Sequence, residues 1–321
     1  LYIWCALELK RYFDIDEPLS LDNARDIYKR TKDFIRENHM TPRWCMERSH
    51  VELVSTTEDP ADSLEYHMKM KENTAVKTRI LTAFRPDRAF YCEWKTFPDY
   101  MRILSKAAGQ EISDFSSLMG ALEKRLAFFA EFGTTVSDNG IAHIAWEDYT
   151  AAQVEDIFRK AAAGERLSRE AINRYKSAFL IEMAKLYKKY NFVMQLHIGT
   201  YLDANHRKVR EIGQSTGFDC VDDSTAVKSV GQILDRLTEL DHLPKTILYP
   251  LNPAQMEPFA VLAAGFCDGM VRGKVQLGAP WWFNDQLGEL VERGEYFSDE
   301  KYLKDIIEGI CYRNVKEYFG W

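Results

Sequence analysis

The chain has 321 residues, of which 46% are hydrophobic and 28% charged, and its formal net charge is −7. This length allows a large buried core, and the negative charge disfavours binding to nucleic acid or to an anionic membrane, because both need a clustered positive field. No apolar run is long enough to span a bilayer, and the six scattered cysteines lack CxxC spacing, which predicts a reducing cytoplasm rather than disulfides or a zinc ribbon.

Residues 1–48 are predicted to form a helical cap, because three helical patterns precede any strand. Tyr2 to Phe13 places apolar residues at helical spacing. Ser20 is predicted to cap a second helix from about residue 21 to residue 38. Thr41 and the proline after it are predicted to start a short third helix.

From residue 49 to residue 286 short apolar runs alternate with helical patterns, and residues 287–321 are predicted to be a C-terminal helical segment. Alternation of this kind predicts a parallel sheet. The predicted strands are Val51–Thr56, Thr78–Phe84, Thr134–Asp138, Phe192–Ile198, Lys245–Tyr249 and Lys274–Gly278. The predicted helices between and after them cover about residues 99–108, 118–131, 153–163, 169–189, 226–240 and 254–265.

The sheet is predicted to be an α/β barrel of the (β/α)8 type, with six of its eight strands visible. A doubly wound open sheet would also suit six strands. However, no GxGxxG turn and no Walker loop is present, so the usual nucleotide sites of open sheets are missing. Polar and aromatic clusters follow most of the strands instead, and barrels carry their chemistry at the carboxyl ends of the strands.

Three polar residues at predicted strand ends are candidates for chemistry. His197 offers an imidazole where the fourth strand meets its loop, although it could also be a core histidine bonded to a neighbour. Arg85 offers a planar fork for a carboxylate or phosphate, with Asp87 able to fix its orientation, although the two could also be an ion pair bracing a loop. Asp138 could be a general base, yet an aspartate before Asn-Gly is also ordinary turn chemistry.

An aromatic cluster, Trp281 and Trp282, follows the last predicted strand. Flat rings at a strand end suit stacking on a sugar face or walling a pocket, and the alternative is a packed corner of the core. The seven histidines form no HxH, HExxH or HxxxH pair, and there is no G-x-S-x-G elbow. From its residues alone, the chain is predicted to be a barrel enzyme acting on a small anion, with no metal site.

Taken together in chain order, these clusters resemble the uronate isomerase family, also called glucuronate isomerase. The resemblance covers essentially the whole chain, and its last motif is quite specific. The motifs are Ser55–Pro60 (STTEDP), Phe84–Ala89 (FRPDRA), Val136–Asp138 (VSD), Gln195–Gly199 (QLHIG), Thr246–Tyr249 (TILY) and Gly278–Asp285 (GAPWWFND). Smaller departures from the family pattern are Glu58, Phe84 and Asn139, where the family usually has Asp, Trp and often His.

The resemblance implies an amidohydrolase-superfamily barrel that binds one divalent metal, usually zinc. Two family segments have no match in the chain. A His-x-His pair is expected before Leu1, and a Thr-Asp-Ser-Arg stretch is expected between Gln286 and Leu287. These segments are expected to hold the metal ligands and the two missing strands. Omission is favoured over true truncation, because a barrel without its closing strands exposes two sheet edges. A Cα separation well beyond ~3.8 Å is therefore expected between Gln286 and Leu287.

The function that the resemblance implies is aldose–ketose isomerisation of D-glucuronate to D-fructuronate and of D-galacturonate to D-tagaturonate. His197 is the candidate for proton transfer, Arg85 for binding the substrate carboxylate, and Trp281 or Trp282 for walling the pocket. These residues are expected to meet at one electropositive mouth. The expected setting is cytoplasmic, with a small-molecule substrate and with homo-oligomers left open. The alternatives are a metal-dependent hydrolase of the same superfamily and a non-catalytic truncated relative.

Overall fold

The computed structural model describes residues 2–269, 271, 273–279 and 298–321. Its chain divides into two units. The first unit comprises Leu1–Ser55 and Leu64–Leu81, and the second comprises Thr56–Ser63 and Thr82–Trp321. The predicted division at residues 48 and 286 stays a prediction.

The first unit is mainly helical. Its helices are α1 (Tyr2–Phe13), α2 (Ala24–Glu37), α3 (Pro42–Arg48) and α4 (Glu65–Glu72). Leu9, Ile15 and Ile27 form a small buried core. The prediction that Ser20 caps α2 is wrong, because α2 begins at Ala24 and the Ser20 backbone N–H donates to the side chain of Asn23 instead (2.8 Å).

In the part of the chain that the structure describes, six parallel strands lie side by side in the order in which they occur. They are β1 (Leu53–Glu58), β2 (Arg79–Phe84), β3 (Asn139–Ile141), β4 (Met194–Ile198), β7 (Thr246–Pro250) and β8 (Val275–Leu277). Strands β3, β4, β7 and β8 form continuous parallel ladders. Between β2 and β3, Phe84 pairs with Ser137 in a parallel bridge. Strand pairing that follows chain order is the topology of a (β/α) barrel, whereas doubly wound sheets reverse their order partway.

The pairing of β1 with β2 is also parallel, because the residue numbers of its hydrogen-bonded partners increase together along both strands. In the first unit the Arg79 N–H donates to the carbonyl of Glu52 (2.8 Å). In the second unit the Arg85 N–H donates to the carbonyl of Glu58 (3.0 Å). Within the described residues β1 and β8 do not pair, so the array stays open there.

Helices of the second unit follow the strands, as the alternating sequence pattern predicts. They are α5 (Asp87–Phe90), α6 (Phe97–Ala108), α7 (Phe115–Glu131), α8 (Ala151–Ala162), α9 (Arg169–Lys189), α10 (His206–Ile212), α11 (Val227–Glu239), α12 (Met256–Ala264), α13 (Glu300–Glu308) and α14 (Asn314–Phe319), with a 3-10 turn at Pro253–Gln255 and a π-helical turn at Gly309–Arg313. Local capping explains two of their starts. Asp114 and Ser117 form a capping box at α7, and Ser168 accepts a bond from the Ala171 N–H (3.2 Å) at α9.

The sequence analysis did not predict a short antiparallel pair of strands that follows β4. A two-residue strand β5 (Thr200–Tyr201) pairs antiparallel with β6 (Cys220–Val221), and α10 lies between them. The third strand also differs from prediction, because β3 begins at Asn139 and the predicted stretch from residue 134 to 138 contributes only isolated bridges.

One face of the sheet has an apolar layer toward the amino ends of its strands. Ala83, Val136, Val193 and Ile247 form this layer. Three aromatic residues near the C-terminus, Tyr318, Phe319 and Trp321, pack against it. Trp321 Nε1 donates to Thr135 Oγ1 (2.8 Å), and Lys245 Nζ donates to the Tyr318 carbonyl (2.8 Å). The C-terminal segment thus covers the amino-terminal end of this face and leaves the carboxyl end for polar groups.

Arg125 of α7 holds the loop that follows β1. Its Nε donates to the Pro60 carbonyl (2.6 Å), its Nη2 to the Asp62 carbonyl (2.8 Å) and its Nη1 to the Ala107 carbonyl (3.3 Å). The residue is only 9% exposed, and its guanidinium lies 4.2 Å from the ring centre of Phe128. Without these donors, buried carbonyl groups would lose their partners.

We expect Arg125→Met to lower the free energy of unfolding by about 2–4 kcal/mol, because methionine fills a similar volume but donates no hydrogen bond. Urea denaturation measures the change. The matched control is Arg159→Met, since Arg159 is 73% exposed and pairs with Asp156 one turn away on α8. Its loss should stay within about 0.5 kcal/mol. Equal losses in the two variants would contradict the role given to Arg125.

Candidate active site

The register of the sheet brings polar residues from several strands to one face near their carboxyl ends. Gly140 of β3 pairs with His197 of β4, and His197 pairs with Tyr249 of β7. Because side chains alternate along a strand, Asp138, two residues before Gly140, belongs to this same face. The parallel ladders therefore place these residues side by side, although they are far apart in sequence.

Asp138 is the centre of this group. Its Oδ1 lies 2.8 Å from His197 Nδ1. Its Oδ2 accepts hydrogen bonds from Thr57 Oγ1 (2.9 Å) and Arg85 Nη1 (3.2 Å). Burial by itself would raise the pKa of Asp138, but the hydrogen bond from His197 and the charge of Arg85 outweigh it and hold the pKa below its ordinary value. Asp138 is therefore ionised at neutral pH and joins groups from the ends of β1, β2 and β4.

Arg85 is oriented by two carboxylates. Its Nε donates to Asp87 Oδ2 (2.6 Å), in addition to the bond from Nη1 to Asp138. Asp87 in turn accepts a bond from the Gly140 N–H through Oδ1 (3.0 Å). Burial raises the pKa of Asp87 to about 6, against the opposing charge of Arg85. Among the described residues Nη2 has no hydrogen-bond partner, so this end of the guanidinium can still bind an acceptor.

The backbone must come unusually close to this guanidinium. A Cβ atom on Gly140 would lie 2.2 Å from Arg85 Nη2 and 2.8 Å from Asp87 Oδ2, so only glycine leaves room for the pair. The charges gathered here are one positive and two negative once Asp87 ionises. The carboxylates that hold Arg85 therefore offset its charge, and the electropositive mouth, which includes the Trp281–Trp282 loop, stays a prediction.

Two contacts orient the His197 ring. One is the contact of Nδ1 with Asp138, and the other is stacking of the ring plane on a neighbouring aromatic side chain. Its ring stacks on Tyr249, with ring centres 4.5 Å apart and planes 18° apart. Tyr249 in turn lies against Gly278, where a Cβ atom would be 2.1 Å from Tyr249 Cε1. The His197 side chain remains 34% exposed. The bond to Asp138 fits the alternative of a core histidine, but the exposure of the side chain does not.

Supporting residues that the sequence analysis missed lie around β3. Tyr91 Oη donates to the Gly140 carbonyl (2.8 Å) and accepts from the Ala142 N–H (2.9 Å), which fixes the strand segment beside Arg85. Asn139 points to the opposite side, where Tyr187 Oη donates to its Oδ1 (3.1 Å). The difference from the family pattern at Asn139 therefore affects a buried contact with helix α9 rather than a contact with Asp138. No local pattern marks these tyrosines, because their partners are distant in sequence.

A second charged cluster lies beside the first. Arg88 Nη1 is 3.9 Å from Asp59 Oδ2, and its guanidinium lies 4.2 Å from the ring centre of Tyr100. Tyr100 Oη donates to Asp59 Oδ1 (3.0 Å), and burial raises the pKa of Asp59. The two arginines of the FRPDRA motif thus have different partners, since only Arg85 contacts Asp138.

Some expectations fall outside what the structure describes. Trp281, Trp282 and the junction of Gln286 with Leu287 are not among the described residues. Within the described ranges, no three His, Cys, Asp or Glu side chains form a group that could hold a metal ion. The described residues by themselves therefore do not supply a metal site, and no chemical step is assigned to the metal. None of the described helices is long and apolar enough to cross a membrane.

Comparisons with known proteins consistently match this chain to uronate isomerases, which are also called glucuronate isomerases. A family model described as glucuronate isomerase matches residues 1–288. A uronate isomerase from Lachnospira eligens is 35% identical over 367 residues, covering 100% of this chain and 78% of that protein. One from Clostridium perfringens is 34% identical over 365 residues, covering 99% of this chain and 78% of that protein.

Solved structures agree with the sequence matches. The crystal structure of a uronate isomerase from Thermotoga maritima has a TM-score of 0.85 and 26% identity, covering 99% of this chain and 78% of that chain. A glucuronate isomerase from Caulobacter crescentus has a TM-score of 0.82 at 22% identity, covering 99% of this chain and 74% of that chain, which shows a shared fold. The predicted α/β barrel class is confirmed.

The alignment with the Lachnospira eligens protein is longer than the chain itself. It runs over 367 residues, whereas this chain has 321. That relative therefore carries stretches without a counterpart here. The alignment length does not place these stretches, so the absence of the two family segments stays a prediction.

Proposed function

The chain belongs to the glucuronate isomerase family, and we propose that it interconverts D-glucuronate with D-fructuronate and D-galacturonate with D-tagaturonate on the sheet face that carries Asp138 and His197. The observation that carries this proposal is the family match over residues 1–288, together with 35% identity to a curated uronate isomerase across the whole chain. The chain is thus an aldose–ketose isomerase.

The reaction conserves every atom of the sugar acid. A base removes the proton from C2 of the open-chain aldose while the C1 oxygen gains a proton, which gives an ene-diol. The C2 hydroxyl then loses its proton as a proton is delivered to C1, which gives the ketose. No nicotinamide is implied, because no external hydride acceptor takes part. We assign proton transfer to His197, whose partly exposed side chain can reach a substrate while Nδ1 contacts Asp138. Histidine suits this step because it exchanges protons near neutral pH.

Arg85 is assigned to the substrate carboxylate through its free Nη2 end. Asp87 and Asp138 hold the plane of the guanidinium, so the remaining N–H groups present a fixed edge. We also propose that Trp281 and Trp282 form a wall of the substrate pocket, as the sequence analysis predicted. One divalent metal, zinc in the first instance, is retained from the family resemblance, with ligands from outside the described residues.

We also propose that the protein acts in the cytoplasm, as the sequence analysis predicted. All six cysteines lie in the described part of the chain, and none of them forms a disulfide, which supports a reducing environment. The rival functions are less well supported, because the relatives reported above are named isomerases and none is named a hydrolase.

The test is conversion of D-glucuronate by the purified protein in D2O, followed by NMR, with added zinc and with a chelator. We expect D-fructuronate to form, and the deuterium content at its C1 then measures how far the transferred proton exchanges with solvent. D-Glucose, which lacks the carboxylate, serves as the matched control substrate and should be turned over at least roughly a hundredfold more slowly. If no conversion occurs with or without zinc, the isomerase proposal fails and a non-catalytic relative takes its place.

A further inference from the structure

We propose that Tyr249 contacts the substrate directly and that its hydroxyl donates a hydrogen bond to an oxygen at the C1–C2 end of an open-chain hexuronate. The proposal rests on the proposed function and on the assignment of the substrate carboxylate to Arg85. It does not depend on which group moves the substrate proton.

The first observation is a phenol hydroxyl without a partner in a polar site. Among the described residues the Tyr249 hydroxyl forms no hydrogen bond, although the side chain is largely enclosed. The hydroxyl is not one of the buried polar atoms without a partner, so a ligand can reach it. Burial raises the pKa of Tyr249 to about 12, so the hydroxyl stays protonated at neutral pH and can donate. Enclosed tyrosines usually satisfy this group, which points to a ligand as its partner.

The second observation is that packing fixes the ring of Tyr249. The ring stacks on His197, with ring centres 4.5 Å apart, and it packs against the apolar layer at the amino ends of the strands. On its other side a Cβ atom at Gly278 would lie 2.1 Å from Cε1, so glycine is needed there. A phenylalanine ring would make all of these contacts equally well. Packing therefore explains the ring and leaves the hydroxyl without a structural role.

The third observation is that the phenol lies level with the free end of Arg85. Gly140 pairs with His197, and His197 pairs with Tyr249, so the three residues occupy one level of the sheet. A Cβ atom on Gly140 would be 2.2 Å from Arg85 Nη2, which places Nη2 at the same level. Three strand spacings, about 14 Å along the sheet, separate β2 from β7, and the curvature of a barrel shortens the path across its interior.

These positions orient a bound sugar acid. With its carboxylate on Arg85 Nη2, a six-carbon chain that extends along this level passes Asp138 and His197 and points its far end toward Tyr249. That far end carries C1 and C2, the two carbons between which the reaction moves a proton. D-Glucuronate and D-galacturonate differ only at C4, so a contact with the C1–C2 end serves both substrates. Tyr249 thus selects acids that are long enough to bring an oxygen to its hydroxyl.

Binding of L-gulonate to Tyr249→Phe tests the contact without catalysis. L-Gulonate has the carboxylate and hydroxyls of D-glucuronate, but a CH2OH group replaces the C1 aldehyde, so it cannot isomerise. We expect its Kd, measured by titration calorimetry on the holoenzyme, to rise roughly tenfold in Tyr249→Phe, because one neutral hydrogen bond is lost. An analogue of L-gulonate without the two hydroxyls at that end should bind Tyr249→Phe and the wild type equally.

Tyr190→Phe is the matched control. Tyr190 Oη donates to Glu123 Oε1 (3.3 Å) just before the amino end of β4, away from the site, so its loss should leave the Kd of L-gulonate within about twofold. Thermal unfolding should show that both variants keep the wild-type fold, since each loses only a hydroxyl.

Three results overturn the contact: an unchanged Kd for L-gulonate in Tyr249→Phe, equal weakening of L-gulonate and its analogue, or no binding of L-gulonate to the wild type. With the contact present, kcat/KM for D-glucuronate should also fall roughly tenfold in Tyr249→Phe. If binding depends on Tyr249 but no D-fructuronate forms in the wild type, the isomerase proposal fails and a binding site for sugar acids remains.

Discussion

His197→Asn should lower kcat/KM for D-glucuronate by roughly one hundredfold or more, which is the usual scale for loss of a general acid–base group. Asparagine can still donate from its amide to Asp138 Oδ1, so the buried carboxylate keeps a partner. It cannot exchange protons near neutral pH. The expected result is therefore a loss of turnover with the fold preserved, measured by steady-state kinetics and thermal unfolding.

His143→Asn is the matched control. His143 also follows a strand, but its Nδ1 lies 3.0 Å from Ser224 Oγ, and it does not contact Asp138. Its kcat/KM should stay within roughly threefold of the wild type. If His197→Asn instead unfolds at a much lower temperature while its remaining folded fraction stays fully active, His197 is a core residue without a catalytic role.

Arg85→Lys should lower kcat/KM at least roughly thirtyfold, which corresponds to about 2 kcal/mol, the scale of a hydrogen bond to a charged group. The guanidinium serves Asp87 through Nε and Asp138 through Nη1, while its Nη2 end packs over Gly140. A lysine ammonium is a point charge and cannot hold both carboxylates and also present a flat edge to a substrate carboxylate.

Arg88→Lys is the control for charge alone. Arg88 belongs to the same FRPDRA motif, but it lies over Tyr100 beside Asp59 and has no contact with Asp138. We expect its kcat/KM to change by less than roughly fivefold. Equal losses in the two variants, or an unchanged value in Arg85→Lys, would remove Arg85 from the substrate site and leave it as an ion pair that braces the loop.

Local sequence determined the helices and the barrel class. The helix predicted at about residues 169–189 is observed as Arg169–Lys189, and the structure adds that Ser168 caps its start by accepting from the Ala171 N–H. Alternation of strands with helices predicted a parallel sheet, and the strands do pair in chain order. These features depend on neighbours within a few residues, so a single sequence contains them.

The sequence also identified Arg85, Asp138 and His197 as polar residues at strand ends, but it left each with a structural alternative. Whether they act together depends on contacts between residues more than fifty positions apart. Asp138 meets His197 and Arg85 only because parallel register sets β3 beside its neighbours. The charge balance also depends on these contacts, because Asp87 and Asp138 offset the charge of Arg85.

Tertiary structure alone decided how the rings and glycines support the site. Tyr249 was part of a recognised motif, yet its stacking on His197 could not be inferred from that motif. Gly140 and Gly278 gave no sign in the sequence that an added Cβ would strike Arg85 or Tyr249. The sequence by itself determined which groups are present and placed Arg85 and His197 at strand ends, whereas Asp138 lies just before β3 and not at the end of the predicted strand. Their orientation was decided by packing between strands, because steric fit depends on distances that only the folded chain defines.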